Sequence, residues 1–104
     1  MTEKKPKPIL FAEALDEGVN SAFACLRNEI MKDGALSSKD KAIVGLACAV
    51  AIRCDTCVEF HKRVAKMAGV TREEMLEAVA IGGLVRLGSG FATDRKSTRL
   101  NSSH

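Results

Sequence analysis

The sequence predicts an all-α protein, a small helical bundle, and three observations support that prediction. Apolar residues recur at helical spacing from Ile9 to about Asp33. The apolar run from Ala42 to Ile52 contains too few β-branched residues to favour a strand, and its length suits a helix. Gly69 and Thr71 then supply a helix stop and a helix start in quick succession.

A chain of 104 residues forms one domain, and a core of that size gives only modest stability. The sequence contains no Trp or Tyr and only four Phe, so Ala, Val, Leu and Ile must build most of the core. Small helical domains with Ala-rich faces often complete their burial by self-association. We therefore expect a homo-oligomer.

The helices can be assigned in chain order. The first stretch runs to about Asp33, and Gly18 and Asn20 can divide it. The apolar residues that recur at helical spacing are Leu10, Ala14, Leu15, Ala22, Phe23, Leu26 and Ile30. Ser37 and Ser38 resemble an N-terminal cap for a helix of residues 38–52, which should be buried because it is apolar almost all round.

The next helix should run from about Cys54 to Ala68 and end at Gly69. Its predicted inward residues are Cys57, Phe60, His61, Val64, Ala65 and Ala68. Thr71 and Glu74 then form a capping box for a last helix. Its predicted apolar face is Met75, Leu76, Val79, Ala80, Leu84 and Val85, and the pair Gly82–Gly83 should permit close approach of another backbone.

The predicted domain boundaries follow from composition. Residues 1–8 are rich in Lys and Pro and should form a flexible arm. Residues 9–91 form the helical domain. Residues 92–104 are expected to be a disordered tail, because the last ten are polar and aperiodic, and this tail resembles sequence appended to a natural protein.

Charge and hydropathy exclude two partner classes. The net charge is +3, but Arg95, Lys96 and Arg99 account for all of it, and the rest of the chain holds 13 basic and 13 acidic residues. A domain with equal numbers of basic and acidic residues lacks the excess of positive charge that is typical of nucleic-acid-binding proteins. The N-terminus lacks the apolar stretch of a signal peptide, and the run Ala42–Ile52 is about half the roughly 20 residues of a membrane helix. We expect a cytoplasmic protein without a membrane partner.

The candidate site is the segment R-C-D-T-C-V-E-F-H. In a helix, Cys54, Cys57 and His61 stand at i, i+3 and i+7 and share one face. Cys54 would lie in the first turn, where free amides and the helix dipole stabilise a thiolate. Cys57 is four residues before His61, within reach of an imidazole that takes its proton. The pattern predicts a thiol redox site.

Three other interpretations of these residues stay open. The two cysteines can be small buried hydrophobes, as expected for Cys25 and Cys48. They can also bind zinc with His61, with a fourth ligand from Cys25, Cys48 or another subunit. His61 alone can be a core histidine. A thioredoxin-like site is excluded, because that motif follows a strand and this one follows a helix-like apolar run.

Residues 36–88 contain the spacing C-x-x-C-x-x-x-H, a following glycine and a T-x-E-E helix start. With these motifs the segment resembles the alkylhydroperoxidase D-like (AhpD-like) branch of the carboxymuconolactone decarboxylase family. The resemblance implies an all-helical homo-oligomer, a trimer or hexamer. It implies reduction of hydroperoxides and re-reduction by a dihydrolipoyl-type dithiol. By position, Cys57 resembles the peroxide-attacking cysteine, Cys54 the resolving cysteine and His61 the histidine of the proton relay.

Two features depart from the family pattern. The family has a glutamate twelve residues before the first cysteine, and this chain has Ala42 there, which leaves proton delivery to the cysteines less well supplied. The family also continues into another packed helix where this chain has its polar tail. The sequence therefore predicts a thiol-dependent oxidoreductase that reduces hydroperoxides or disulfides and has no cofactor. The alternatives are a non-catalytic helical oligomer with a decayed site and a zinc-binding module.

Overall fold

The computed structural model describes residue 5 and residues 7–98, with side chains described as far as residue 92. Five helices occupy this part of the chain: α1 (Lys7–Leu15), α2 (Glu17–Met31), α3 (Ser38–Ala51), α4 (Asp55–Met67) and α5 (Arg72–Thr98). No strand occurs among these residues. The all-α prediction is confirmed.

Helices α1 and α2 form a hairpin that differs in detail from the prediction. α1 begins at Lys7 rather than Ile9, because proline at position 8 is tolerated in a first helical turn. The break falls at Asp16, whose extended backbone and side-chain oxygen cap α2 through the N–H of Val19 at 2.9 Å. Gly18 and Asn20 are inside α2. The sequence analysis missed Asp16 as a cap.

The apolar residues that recur at helical spacing along α1 and α2 are largely exposed in the single chain. Leu10, Leu15, Leu26 and Ile30 are all about half exposed, whereas Ala12 is buried. Helical spacing identifies which residues share a face, but the position of neighbouring helices decides whether that face is covered. The hairpin packs on itself and has few contacts with α3, so most of its apolar stripe stays open.

Helix α3 is the centre of the fold, because both α4 and α5 pack along it. Ser37 caps it as predicted, and its hydroxyl accepts the N–H of Asp40 at 3.0 Å. Ala42, Leu46 and Ala49 are buried, but Val44 is half exposed. The expectation that α3 is buried all round is therefore only partly met.

The contact between α3 and α5 is very close at one glycine. A Cβ added to Gly82 would lie 2.5 Å from the carbonyl oxygen of Ala47 and 2.9 Å from Cβ of Val50, whereas one added to Gly83 would meet nothing. The predicted close approach is thus confirmed at Gly82. Among residues 72–92 of α5, Ala78 and Gly82 are buried. Met75 is half-buried, and the other residues of the predicted apolar face are exposed.

Helix α5 continues to Thr98, which corrects the prediction of disorder from residue 92. Extending an existing helix needs no new nucleus, and residues 92–98 contain no Pro or Gly. The predictions for residues 1–4, 6 and 99–104 lie outside the described part of the chain.

One described segment, Arg72–Ala92 of α5, is long and apolar enough to cross a membrane by length and composition, with a mean hydropathy of 1.3. A single helix of this kind is weak support for a membrane span, since core helices of soluble proteins meet the same criterion. The sequence analysis overlooked this segment because Glu77 and Arg86 interrupt its apolar runs.

The single chain is open for its size. Its radius of gyration is 17.1 Å, whereas about 13 Å is typical of a compact domain of this length. The exposed large apolar side chains include Phe11 and Leu84, each 67% exposed. The expected homo-oligomer stays a prediction.

Candidate active site

The two cysteines lie at the junction of α3 and α4. α3 ends at Ala51 with Ile52 as its C-cap, and Arg53 takes a left-handed conformation with φ of 59°. The N–H groups of Arg53 and Cys54 donate to the carbonyls of Val50 and Ala49 at 3.0 and 3.3 Å, a Schellman ending. This turn reverses the chain and presents Cys54 at the start of α4.

Cys54 is the N-cap of α4 and not part of its first turn, which corrects the predicted helix start. Its backbone is extended, with φ of −106° and ψ of 101°, and its sulfur accepts the N–H of Cys57 at 3.2 Å. A thiolate at this position would receive that amide and the positive end of the helix dipole. The cap position thus favours the anionic form of Cys54 more directly than a helical position would.

Cys54 and Cys57 form a disulfide, and their Cα atoms are 5.1 Å apart, within the usual range for a bridge. Cys57 is the third residue of α4 and is half-buried. Cys25 and Cys48 are free and exposed, so the expectation that they are buried hydrophobes is wrong. The pairing of Cys54 with Cys57 places the redox-capable thiols in one helical turn.

The predicted inward face of α4 agrees with the structure, and His61 lies on it. Ala65 is buried, and the other members of the face, including Cys57 and His61, are half-buried. The His61 ring stands edge-on to the ring of Phe60, with centroids 5.2 Å apart. Burial lowers the pKa of His61, so its imidazole is neutral at pH 7 and able to accept a proton.

Helix α3 approaches the His61 ring at Gly45. A Cβ at position 45 would lie 2.9 Å from Nδ1 of His61 and 3.2 Å from Cε1, so only glycine fits against the ring as it stands. Nδ1 is buried and has no hydrogen-bond partner among the described residues. The sequence analysis missed Gly45. Its one signal was a glycine inside an otherwise apolar helix.

Ala42, where the family pattern has a glutamate, is completely buried one turn before Gly45. It forms a core cluster with Ala65 and Val70. A carboxylate at this position would be buried among apolar side chains and costly without a partner. Ala42 is therefore part of the core.

Cys57 and His61 open on a cleft of about 420 Å³ between the α1–α2 hairpin and α4. The cleft is lined mainly by apolar side chains and, besides those two residues, by Arg27 and Asn28. Its apolar lining is Pro8, Ile9, Phe23, Ile30, Met31, Phe60 and Val64. Cys54 does not line it, so a ligand in the cleft faces Cys57.

The structure gives the zinc interpretation no additional ligand. Among the described residues, no group of three or more His, Cys, Asp or Glu side chains could hold a metal ion. Cys25 on α2 and Cys48 on α3, which the sequence analysis considered as a fourth ligand, do not join such a group. A zinc site would therefore need ligands from outside the described residues.

A model of the carboxymuconolactone decarboxylase family matches residues 17–92, nearly three-quarters of the chain. The chain belongs to this family. The resemblance seen in the sequence over residues 36–88 is confirmed, and the match extends it to include α2. The matched residues comprise helices α2 to α4 and α5 as far as residue 92, and they include the cysteine pair and His61.

The family relatives carry little functional information. The chain is similar to an uncharacterised protein from the cox locus of Paracoccus denitrificans, with 30% identity over 76% of this chain and 71% of that protein. It is also similar to an uncharacterised protein of Cupriavidus necator, with 36% identity over 67% of this chain and 60% of that protein.

A crystal structure of a protein from Methanobacterium thermoautotrophicum has the same fold, with a TM-score of 0.73 and 35% sequence identity. The similarity covers 85% of this chain and 98% of that one. This match agrees with the helical architecture expected for the family.

Proposed function

We propose that this chain is an AhpD-like thiol oxidoreductase that reduces hydroperoxides with Cys57 as nucleophile, Cys54 as resolving thiol and His61 as acid and base. The observation that supports this most is the Cys54–Cys57 disulfide at the start of α4, with Cys57 and His61 opening on one apolar cleft. The proposed cycle starts from the reduced dithiol.

In the first step, neutral His61 takes the proton of Cys57. The Cys57 thiolate attacks one peroxide oxygen, the O–O bond breaks, and Cys57 becomes a sulfenic acid. The leaving alkoxide takes the proton from His61 and departs as an alcohol. The cysteine sulfur is oxidised by two electrons, and the peroxide is reduced by two.

In the second step, the Cys54 thiol gives up its proton and attacks the sulfenic sulfur of Cys57, the S–O bond breaks, and the leaving hydroxide takes up that proton and departs as water. The Cys54–Cys57 disulfide is the product, and its Cα separation of 5.1 Å is within the usual range for a bridge. An external dithiol, of which a dihydrolipoyl protein is our proposed example, then exchanges with this disulfide and restores both thiols.

The same dithiol can reduce disulfide substrates by exchange, which needs no peroxide cleavage. This route depends less on the proton relay that Ala42 interrupts. We therefore keep disulfide reduction within the proposal. A cytoplasmic location fits both reactions, because the cytoplasm supplies the reducing dithiols that the cycle consumes.

We also propose that the chain works as a homo-oligomer, a trimer or hexamer. Exposed apolar side chains on α1, α2 and α5 support this, as does the open shape of the single chain. Sedimentation at several concentrations measures the assembly state. A monomer at all concentrations would contradict this part of the proposal.

Steady-state reduction of a hydroperoxide with a dihydrolipoyl donor tests the main proposal. Wild type should turn over, and Cys57→Ser should fall to the uncatalysed rate. Cys54→Ser should react once and stop, because no resolving thiol completes the cycle. Cys25→Ser is the matched control, and its turnover should equal that of wild type, since Cys25 is exposed and outside the cleft.

The second candidate is a non-catalytic helical oligomer in which the family site has decayed. The unpartnered Nδ1 of His61 and the alanine at position 42 favour it. Wild-type protein that neither reduces hydroperoxides nor exchanges disulfides would select this candidate. Stoichiometric zinc in the purified protein would instead favour a metal-binding module.

A further inference from the structure

Arg27 on α2 has an unusual environment for an arginine. Its Nε is buried and has no hydrogen-bond partner among the described residues. Its guanidinium carbon lies 5.2 Å from the centre of the Phe23 ring, a cation–π contact that fixes the side chain against α2. A buried donor without an acceptor is costly, so native proteins usually pair such a group with a protein atom, a water or a ligand.

Several other cations of the described part are paired where Arg27 is not. Lys5 pairs with Glu13 at 2.7 Å, Lys32 with Glu29 at 2.7 Å and Lys39 with Glu74 at 3.3 Å. No described carboxylate forms an ion pair with Arg27. Its guanidinium is thus available to an anion from outside the chain.

Arg27 lines the same cleft as Cys57 and His61. At about 420 Å³ the cleft falls within the range of small-molecule sites, and its remaining lining is mainly apolar. A ligand that satisfies all of these groups has an anionic end for Arg27, an apolar body for Phe23, Met31 and Val64, and a reactive group at Cys57.

We propose that the cleft binds an aliphatic hydroperoxide that carries a carboxylate, with the carboxylate on Arg27 and the peroxide at Cys57. A planar carboxylate matches the fork of donors on a guanidinium, and apolar surroundings strengthen the pair. This inference rests on the proposed function for the peroxide end and on Arg27 for the acid end. Arg27 is then a substrate-binding residue that selects acidic over neutral hydroperoxides.

The first test compares linoleic acid hydroperoxide with its methyl ester, which differ only in the anionic group. In wild type, kcat/KM for the acid should exceed that for the ester by about 10- to 100-fold, the usual value of a charged hydrogen bond. Arg27→Gln should bring this ratio close to one, mainly by raising KM for the acid. Arg27→Lys, which keeps the charge without the fork, should retain part of the ratio.

Arg72→Gln is the matched control, because it removes one positive charge from an exposed position outside the cleft. It should keep the wild-type ratio. Catalysed reduction of acid and ester with equal kcat/KM in wild type would overturn the inference, whether or not Arg27→Gln folds. A ratio unchanged in folded Arg27→Gln would also overturn it.

A binding measurement separates this inference from the proposed reaction. Calorimetric titration with decanoate and with decanol, neither of which carries a peroxide, should show about 10-fold or more tighter binding of decanoate in wild type but not in Arg27→Gln. That result supports the acid site even if no hydroperoxide is reduced. If the protein reduces hydroperoxides but binds decanoate no more tightly than decanol, the proposed reaction is supported and the proposed carboxylate site is refuted.

Discussion

Helix α4 is joined to its neighbours by two junctions that share a backbone design and differ in their residues. At each junction a helix ends in a Schellman turn, and the next helix starts one or two residues later. Gly69, with φ of 86°, takes the left-handed position after α4, and Thr71 caps α5. Arg53 and Cys54 take the equivalent places between α3 and α4.

The α4–α5 junction uses the residues that stability favours. Glycine adopts the left-handed conformation without strain. Thr71 and Glu74 exchange two hydrogen bonds, at 3.1 and 2.9 Å, in a reciprocal capping box. The hydrophobic contact that often accompanies this turn is present, since Val70 packs against Ala65.

The α3–α4 junction uses residues that stability alone would not select. A left-handed arginine costs about 1–2 kcal/mol relative to glycine in that conformation. Sulfur is a weak acceptor, so Cys54 caps α4 less well than Ser or Thr would. The difference indicates that the first junction presents a thiol to the start of a helix, whereas the second only connects two helices.

The largest expected effect is on activity, which the thiol-bearing α3–α4 side of the molecule should carry, and Gly45→Ala on α3 tests it through its contact with His61. The new methyl group must displace the His61 ring, because Cβ would lie 2.9 Å from Nδ1. Peroxide reduction should fall by about 10- to 100-fold, and the pH profile of kcat/KM should shift as His61 leaves its buried position. Gly83→Ala is the control, because its Cβ meets nothing, and it should keep the wild-type rate and the wild-type pH profile. An unchanged pH profile in Gly45→Ala would remove His61 from the mechanism.

Replacing the left-handed residues should affect stability in opposite directions. Gly69→Ala should lower the free energy of unfolding by about 1–2 kcal/mol, since its Cβ has room but its φ is unfavourable. Arg53→Gly should raise it by about 0.5 kcal/mol, the relief of strain less the extra entropy of unfolded glycine. Urea unfolding of both variants measures this. The same sign for both would show that the two turns are not equivalent.

Replacing the capping residues Thr71 and Cys54 should change the free energy of unfolding by smaller amounts, again in opposite directions. Thr71→Ala should cost about 1 kcal/mol in the free energy of unfolding, because α5 loses its cap. Cys54→Ser should gain about 0.5 kcal/mol when both proteins are compared in excess reductant, because a hydroxyl accepts the Cys57 N–H better than sulfur. A loss of stability in reduced Cys54→Ser would mean that the sulfur contributes packing that oxygen cannot replace.

The smallest expected effect is the dependence of stability on pH. Burial lowers the pKa of His61, so the unfolded chain binds more protons, and stability should fall as the pH drops below about 6.5. The backbone N–H of Thr71 lowers the pKa of Glu74, so its contribution is present above about 4.5 and lost on further acidification. His61→Gln should remove only the first decline in urea midpoints, and Glu74→Gln only the second. A single decline that neither variant alters would contradict both assignments.

The two junctions also show how far the sequence predicts the structure. Ser37, Gly69 and the Thr71–Glu74 box follow local rules, so they could be identified without knowing any neighbouring helix. Arg53 breaks such a rule. No local signal marks an arginine as left-handed, and the sequence analysis therefore placed the start of α4 one residue early.

The candidate site was predicted in its thiols and histidine but not in their surroundings. Spacing along one helix is enough to group Cys54, Cys57 and His61. Gly45 and Arg27 come from other helices, and their roles depend on how α2 and α3 pack against α4. For the same reason, the sequence identifies the apolar faces of α2 and α5 but not whether they are covered, since periodicity does not specify which helix covers a face.

The most direct test of the redox site counts thiols and maps their bonds. The fully reduced chain has four thiols. Treatment with one equivalent of hydroperoxide should leave two, and peptide mapping should find one disulfide, between Cys54 and Cys57, that dihydrolipoate reverses. Four thiols after treatment, or a disulfide that uses Cys25 or Cys48, would contradict a redox cycle at the start of α4.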